Sequence, residues 1–118
     1  MIKENAVRNQ LNCPNSVLDL ATPQVMGILN VTRVIPVLEA IKERFDVLVS
    51  IDTSKAKVMS AAIAAGADII NDVRALQNDG CLAAVANSNI PVCLMHMQGL
   101  PRTMQNSPSY DDVITEII

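Results

Sequence analysis

The sequence is almost without aromatic side chains: it has no tryptophan, one phenylalanine and one tyrosine among 118 residues. Any core must be built from Val, Ile, Leu, Ala and Met, and 50% of the residues are hydrophobic, so the material for one is present. With one histidine and three cysteines, none of them in a Cys-x-x-Cys pair, a structural zinc site is not expected. The odd cysteine count and the apolar surroundings of Cys93 read as reduced thiols in a cytoplasmic protein. Basic charge is scarce as well. The net charge is −3, and Lys and Arg are scattered rather than striped, which argues against a nucleic-acid partner. No apolar run reaches the roughly 18 residues of a membrane span, and the first ten residues lack the apolar stretch of a secretory leader, so no membrane partner is expected. The chain is one domain at most, or part of one.

What is present centres on Val47-Leu-Val-Ser-Ile-Asp-Thr-Ser54. Val47, Leu48, Val49 and Ile51 suit a strand covered on both faces. Asp52 closes that strand, and Thr53 and Ser54 are candidate caps for the helix that follows. The same grammar recurs. Strands are expected over 25–32, 47–52, 68–73 and 91–98, starting about 22 residues apart. Between them lie helical patterns. Val34, Val37, Leu38, Ile41 and Phe45 form an apolar stripe. Val58, Met59, Ala62 and Ile63 face inward on a second helix, with Gly66 as its stop. Leu82, Val85 and Ala86 are the expected buried face of a third, from about 80 to 87. A last helix is expected to open at Ser109, with Asp112 three residues on. It reaches Glu116-Ile117-Ile118 with no cap, which reads as a truncated sequence. Residues 1–16 read as an arm, either loose or a small hairpin, and 17–118 as consecutive βα units. The fold class is therefore α/β, with parallel βα repeats.

Function in such folds sits at the C-terminal ends of the strands. Alternation puts Met26, Ile28 and Asn30 on one face of the first strand, and Leu48, Ser50 and Asp52 on one face of the second. Ile69, Asn71 and Val73 share a face in the third, as do Cys93, Met95 and Met97 in the fourth. If these faces meet in one interior, Asn30, Asp52, Asn71 and Met95 converge. A carboxylate, two amides and a soft apolar wall suit a flat heterocycle with paired N–H donors. The plainer alternatives are that Asp52 serves only the turn, and that Met95 and Met97 only fill a core. His96 falls on the opposite face, toward the helices, as a structural histidine. Asp72 and Arg74 read as a local surface pair.

Four segments resemble dihydropteroate synthase, a folate-pathway family: Val25-Met-Gly-Ile-Leu-Asn-Val-Thr32, Ser50-Ile-Asp-Thr-Ser54, Ile69-Ile-Asn-Asp-Val-Arg74 and Pro91-Val-Cys-Leu-Met-His-Met-Gln-Gly99. They occur in the family's order. The resemblance implies a partial (β/α)8 TIM barrel with about four strands. The family is a transferase that joins dihydropterin diphosphate to p-aminobenzoate with Mg²⁺. It implies pterin contacts at Asp52, Asn71, Val73 and Met95, and a place for Asn30 near the metal and diphosphate. No catalytic residue is assigned.

The sequence also departs from that pattern. In the family, Asn-Val-Thr leads into Pro-Asp-Ser-Phe-Ser-Asp-Gly-Gly, a helix, a further strand and a Ser-Thr-Arg-Pro loop. Here Thr32 runs directly into Arg33-Val-Ile-Pro. The family's later Asp-Pro-Gly, Ser-Arg-Lys and Arg-x-His segments are also missing. The expected reading is therefore a synthase-like chain with impaired activity and a tendency to form homo-oligomers. The competing readings are a non-catalytic pterin-binding fragment and a pterin-binding domain of the corrinoid methyltransferase type. A flavodoxin-like domain is the architectural alternative.

Overall fold

Strand-formers separated by helical stripes fold in this chain as successive βα units. The computed structural model describes residues 10–13, 16–19, 21, 28–29 and 34–117. A hairpin comes first: β1 (Gln10–Cys13) pairs antiparallel with β2 (Ser16–Asp19). Within the expected arm, residues 10–13 and 16 thus belong to the hairpin alternative, which continues to Asp19, while residues 1–9 lie outside the described residues. Of the strand expected over 25–32, only β3 (Ile28–Leu29) is described; the rest, including Gly27 and Asn30, lies outside the described residues.

The remaining elements are α1 (Val34–Arg44), β4 (Ser50–Asp52), α2 (Ala56–Ala64), β5 (Ile69–Asp72), α3 (Cys81–Ala86), β6 (Val92–Leu94) and α4 (Val113–Ile117). Strands β3, β4, β5 and β6 lie side by side in chain order, all parallel. One apolar cluster joins α1 (Val34, Leu38), α2 (Met59, Ala62) and α3 (Cys81, Val85) to Ile51 and Ile70. All three helices therefore cover the same sheet face, as in a partial (β/α)8 barrel. A flavodoxin-like sheet carries helices on both faces. Leu38, Ile51, Met59 and Ile70 are wholly buried, each contributing about 1.5–3 kcal/mol.

At the N-terminal end of the sheet, Asp68 is buried and accepts from the Val49 N–H (2.8 Å) and from Lys42 Nζ (2.9 Å). Lys42 also donates to the Val47 carbonyl at 3.1 Å, so one lysine ties α1 to the entry of β4. α2 ends as its sequence suggests. Gly66 takes φ +91°, its N–H meets the Ile63 carbonyl, and the Ala67 N–H meets that of Ala62. That pair of bonds is the Schellman closure, which a glycine at the left-handed position permits. Pro36 is the third residue of α1, where its missing N–H removes no helical bond.

Other local expectations needed correction. α3 buries Cys81 and Val85, while Leu82 is 66% exposed and Ala86 is exposed too. The stripe is rotated because the start at Cys81 turns that residue inward. Val37 on α1 and Phe45, just past its end, are exposed. Neither Thr53 nor Ser54 caps α2. Its cap is Lys55, with no side-chain bond, because Ser54 Oγ donates instead to the buried Asp72 carboxylate. α4 begins later than expected. The Asp112 carboxylate accepts from the Ile114 and Thr115 N–H groups, and Glu116 reaches back to the N–H groups of Asp111 and Asp112.

No helix among the described residues is long and apolar enough to cross a membrane. The outer edge of β6 has no described strand beside it. Leu82, Leu94, Leu100 and Ile114 are all more than half exposed. Unpaired edges template further pairing, so the 118-residue chain is expected to self-associate. Sedimentation at tens of micromolar, the regime of association-prone species, should give a concentration-dependent mass. A single sharp monomer boundary would contradict this.

Candidate functional site

Parallel register aligns side chains that the sequence separates by about twenty residues. Asp52 on β4 pairs with Asn71 on β5, and Asn71 pairs with Cys93 on β6. Residues in register on parallel strands point the same way, so these three form one row across the C-terminal ends. Their neighbours Ile51 and Ile70 are fully buried against the helices. The row therefore occupies the face away from the helices. Asp52 and Asn71 are half-buried, and Cys93 is exposed. No hydrogen bond joins the side chain of Asp52 or Asn71 to another described residue. The Asn71 main chain is engaged, accepting from the Thr53 N–H at 3.0 Å.

Val73 and Met95 are half-buried just beyond the row, and the Met95 N–H bonds the Asp72 carbonyl at 3.2 Å. Asn30 lies outside the described residues. Among the described residues no three His, Cys, Asp or Glu side chains come together to hold a metal ion.

Asp72 is the residue that sequence reasoning misjudged. It is fully buried rather than part of a surface pair. Its carboxylate accepts from Ser54 Oγ and from the Arg74 N–H (2.9 Å) on one oxygen, and from the Leu76 N–H (2.9 Å) on the other. It thereby shapes the loop after β5, where Ala75 and Leu76 take φ of 51° and 59°. The available signal was alternation: a residue next to Asn71 must face the helices. His96 also departs from expectation. It is exposed, and its Nε2 shares a 3.0 Å hydrogen bond with the Tyr110 hydroxyl.

A cavity of about 210 Å³ lies among Arg74, Ala75, Leu94, Met95, His96 and Ile117. Its lining draws on both phases of the chain after β5 and β6: Leu94 is in register with Asp72, while Met95 and Met97 alternate with it. The cavity volume is below the roughly 300 Å³ at which ligand pockets begin, and neither Asp52 nor Asn71 lines it. The row is the better candidate.

The thiols provide a check on this geometry. Burial is the main cause raising the pKa of Cys81, with nearby Asp72 adding to it; burial also raises that of Cys13, with Asp68 adding. A raised thiol pKa leaves little thiolate near pH 8. A disulfide reagent is expected to label exposed Cys93 first, and Cys13 and Cys81 only on unfolding. Equal rates at all three would contradict the placement.

Comparison with known proteins adds a separate line. Residues 22–118 match the family described as "Pterin binding enzyme". The dihydropteroate synthase of Escherichia coli strain K12 is 56% identical over 85 residues, covering 72% of this chain and 30% of that protein. The Haemophilus influenzae enzyme is 35% identical over 161 residues, covering 92% of this chain and 58% of that protein. That alignment is longer than the 118 residues here, so it includes positions with no counterpart in this chain. A Yersinia pestis dihydropteroate synthase solved as a sulfonamide drug complex superposes with TM-score 0.80 at 39% identity, covering 91% of this chain and 57% of that one. The Xanthomonas albilineans enzyme, solved with indole-2-carboxylic acid and 6-chloroguanine, gives 0.73 at 36% identity, covering 92% and 54%. The chain thus spans 30% to 58% of the length of these curated relatives.

Proposed function

This chain belongs to the pterin-binding enzyme family, and we propose that it is a dihydropteroate synthase-type protein that binds a pterin along the row of Asp52 and Asn71. The whole reaction would join dihydropterin diphosphate to p-aminobenzoate and release diphosphate, in the cytoplasm. The single observation that carries the reading is the register Asp52–Asn71–Cys93 on the face away from the helices. Asp52 presents a half-buried carboxylate with no described intramolecular partner. A pterin edge presents a ring N–H and an amino group side by side, and a carboxylate accepts such a pair in parallel. Asn71 adds an amide beside it, and Val73 and Met95 supply apolar surface for the ring. The 6-chloroguanine complex of the Xanthomonas relative is consistent with a fused heterocycle of this class.

Mg²⁺ is carried by the family resemblance alone. Asn30, its assigned contact, lies outside the described residues, which contain no metal-holding cluster of their own.

A non-catalytic pterin-binding role is the second reading. It is favoured by the Haemophilus alignment, which spans positions absent from this chain.

The test is calorimetric titration of a pterin. Asp52→Asn keeps the shape but sets an amide N–H₂ against the ligand's donors. Affinity should fall roughly 5- to 150-fold, the equivalent of about 1–3 kcal/mol for an unmade buried bond. Asn30→Ala should cost less, because Asn30 is assigned to metal and diphosphate. If Asp52 merely serves the turn, Asn replaces it without loss, and equal affinities would remove Asp52 from the site.

A further inference from the structure

Ser50 Oγ is buried and, among the described residues, without a hydrogen-bond partner. The residue is 4% exposed and lies on β4 between Ile28 and Ile69 in register. Buried hydroxyls nearly always find a protein partner or an ordered water. Ser50 shares its face with Asp52, two residues on. A strand rises about 3.3 Å per residue, so the two Cα atoms are about 6.6 Å apart. Two O–H···O bonds of about 2.8 Å meeting at one water span about 4.6 Å at a tetrahedral angle, so one water bridges the two side chains when the longer Asp52 side chain leans about 2 Å toward Ser50. Asn71, beside Asp52 in register, is within the same layer and offers a third polar partner.

We propose that Ser50 is a positioning residue for the strand-end site: its hydroxyl donates to one internal water, which donates in turn to the Asp52 carboxylate and to the Asn71 side-chain oxygen. The inference rests on the pterin reading given above and adds to it the orientation of both side chains. With its oxygen turned inward to the water, the Asn71 amide presents N–H₂ outward. With its inner lone pair occupied, Asp52 keeps its outer lone pairs for the ligand. The site then offers an acceptor pair beside a donor. That pattern complements a ring edge carrying adjacent N–H groups next to a carbonyl or ring-nitrogen acceptor.

Two measurements test this on the 118-residue chain. The first needs no ligand: cross-relaxation between a long-lived internal water and the amide protons of Ser50 and Asp52. The signal is expected in the native chain and lost in Ser50→Ala. The second is calorimetric titration with a pterin. Ser50→Ala should weaken binding about threefold to tenfold, the size of one ordinary hydrogen bond. Ser50→Thr should bind more tightly than Ser50→Val by a similar factor, since those two side chains have the same shape and differ in the hydroxyl. Equal affinities for the Thr and Val variants would overturn the proposal. So would a native chain with no internal-water signal, or a Ser50→Ala variant that melts higher and binds unchanged, because the hydroxyl would then be idle. A clear water signal in a chain that binds no pterin would establish the bridge and overturn the pterin reading instead.

Discussion

The purified 118-residue chain, supplied with dihydropterin diphosphate, p-aminobenzoate and Mg²⁺, is expected to form no dihydropteroate above a protein-free control. Binding a ring and displacing diphosphate make different demands. The first needs a few complementary groups at the strand ends, the role proposed for Asp52 and Asn71, which stand in register. The second needs the reacting atoms held in line, and misplacement by about 1 Å costs about 100-fold in rate. The Haemophilus relative aligns over 161 residues against a chain of 118, so stretches of that relative have no counterpart here. The family's loop with Ser-Thr-Arg-Pro and its later Ser-Arg-Lys and Arg-x-His segments are not in this sequence. Losing several positioning groups together should take turnover below detection. Steady product formation by the purified chain would defeat this expectation and show that the described strand ends suffice.

The second large effect is expected at Asp72, away from the ligand. Asp72→Ala should lower the unfolding free energy by roughly 3–5 kcal/mol, because three donors lose a carboxylate acceptor at about 1–3 kcal/mol each. The substitution leaves the Ser54 hydroxyl and the N–H groups of Arg74 and Leu76 without their acceptor in a buried place. It also releases a loop in which Ala75 and Leu76 hold left-handed backbone angles, each costing about 1–2 kcal/mol without support. A domain is stable by only about 5–15 kcal/mol, so the loss should be plain in a urea titration as a lower midpoint. Asp52→Asn, by contrast, removes no described hydrogen bond, and its midpoint should move within about 0.5 kcal/mol. Similar destabilisation by both variants would mean that Asp52, too, holds the fold together and that its freedom for a ligand is wrong.

The contrast between these two aspartates shows what could be read in advance. Both close a strand, both are followed by small polar or β-branched residues, and local sequence treats them alike. Their different fates follow from alternation. Asp52 shares a face with Ser50, opposite the buried Ile51, while Asp72 shares a face with Ile70, against the helices. Phase along a strand is written in the chain, but which phase faces the helices depends on packing. His96 shows the same limit. Its expected side of the strand was the helix side, yet it stays exposed, with its ring hydrogen-bonded to Tyr110.

The caps erred for a related reason. Ser54 is a good cap residue by its chemistry, but a buried carboxylate from β5, eighteen positions away, offers its hydroxyl a stronger bond. Leu82 lies outside the core that Cys81 and Val85 occupy, because a six-residue helix carries too few turns for its stripe to define a phase.

By itself, then, the sequence determined the succession of βα units, their parallel pairing, the helix stop at Gly66 and the motifs that place the chain in its family. Each of these depends on neighbours within about one element, where propensity, periodicity and turn geometry act directly. The tertiary structure alone decided that Asp52, Asn71 and Cys93 stand in one row, that Asp72 is sealed beneath the loop after β5, and that Ser50 is buried without a partner among the described residues. Those outcomes depend on inter-strand register and on which sheet face the helices cover. Both are set by packing between elements distant in the chain, where no local preference of a residue can specify its partner.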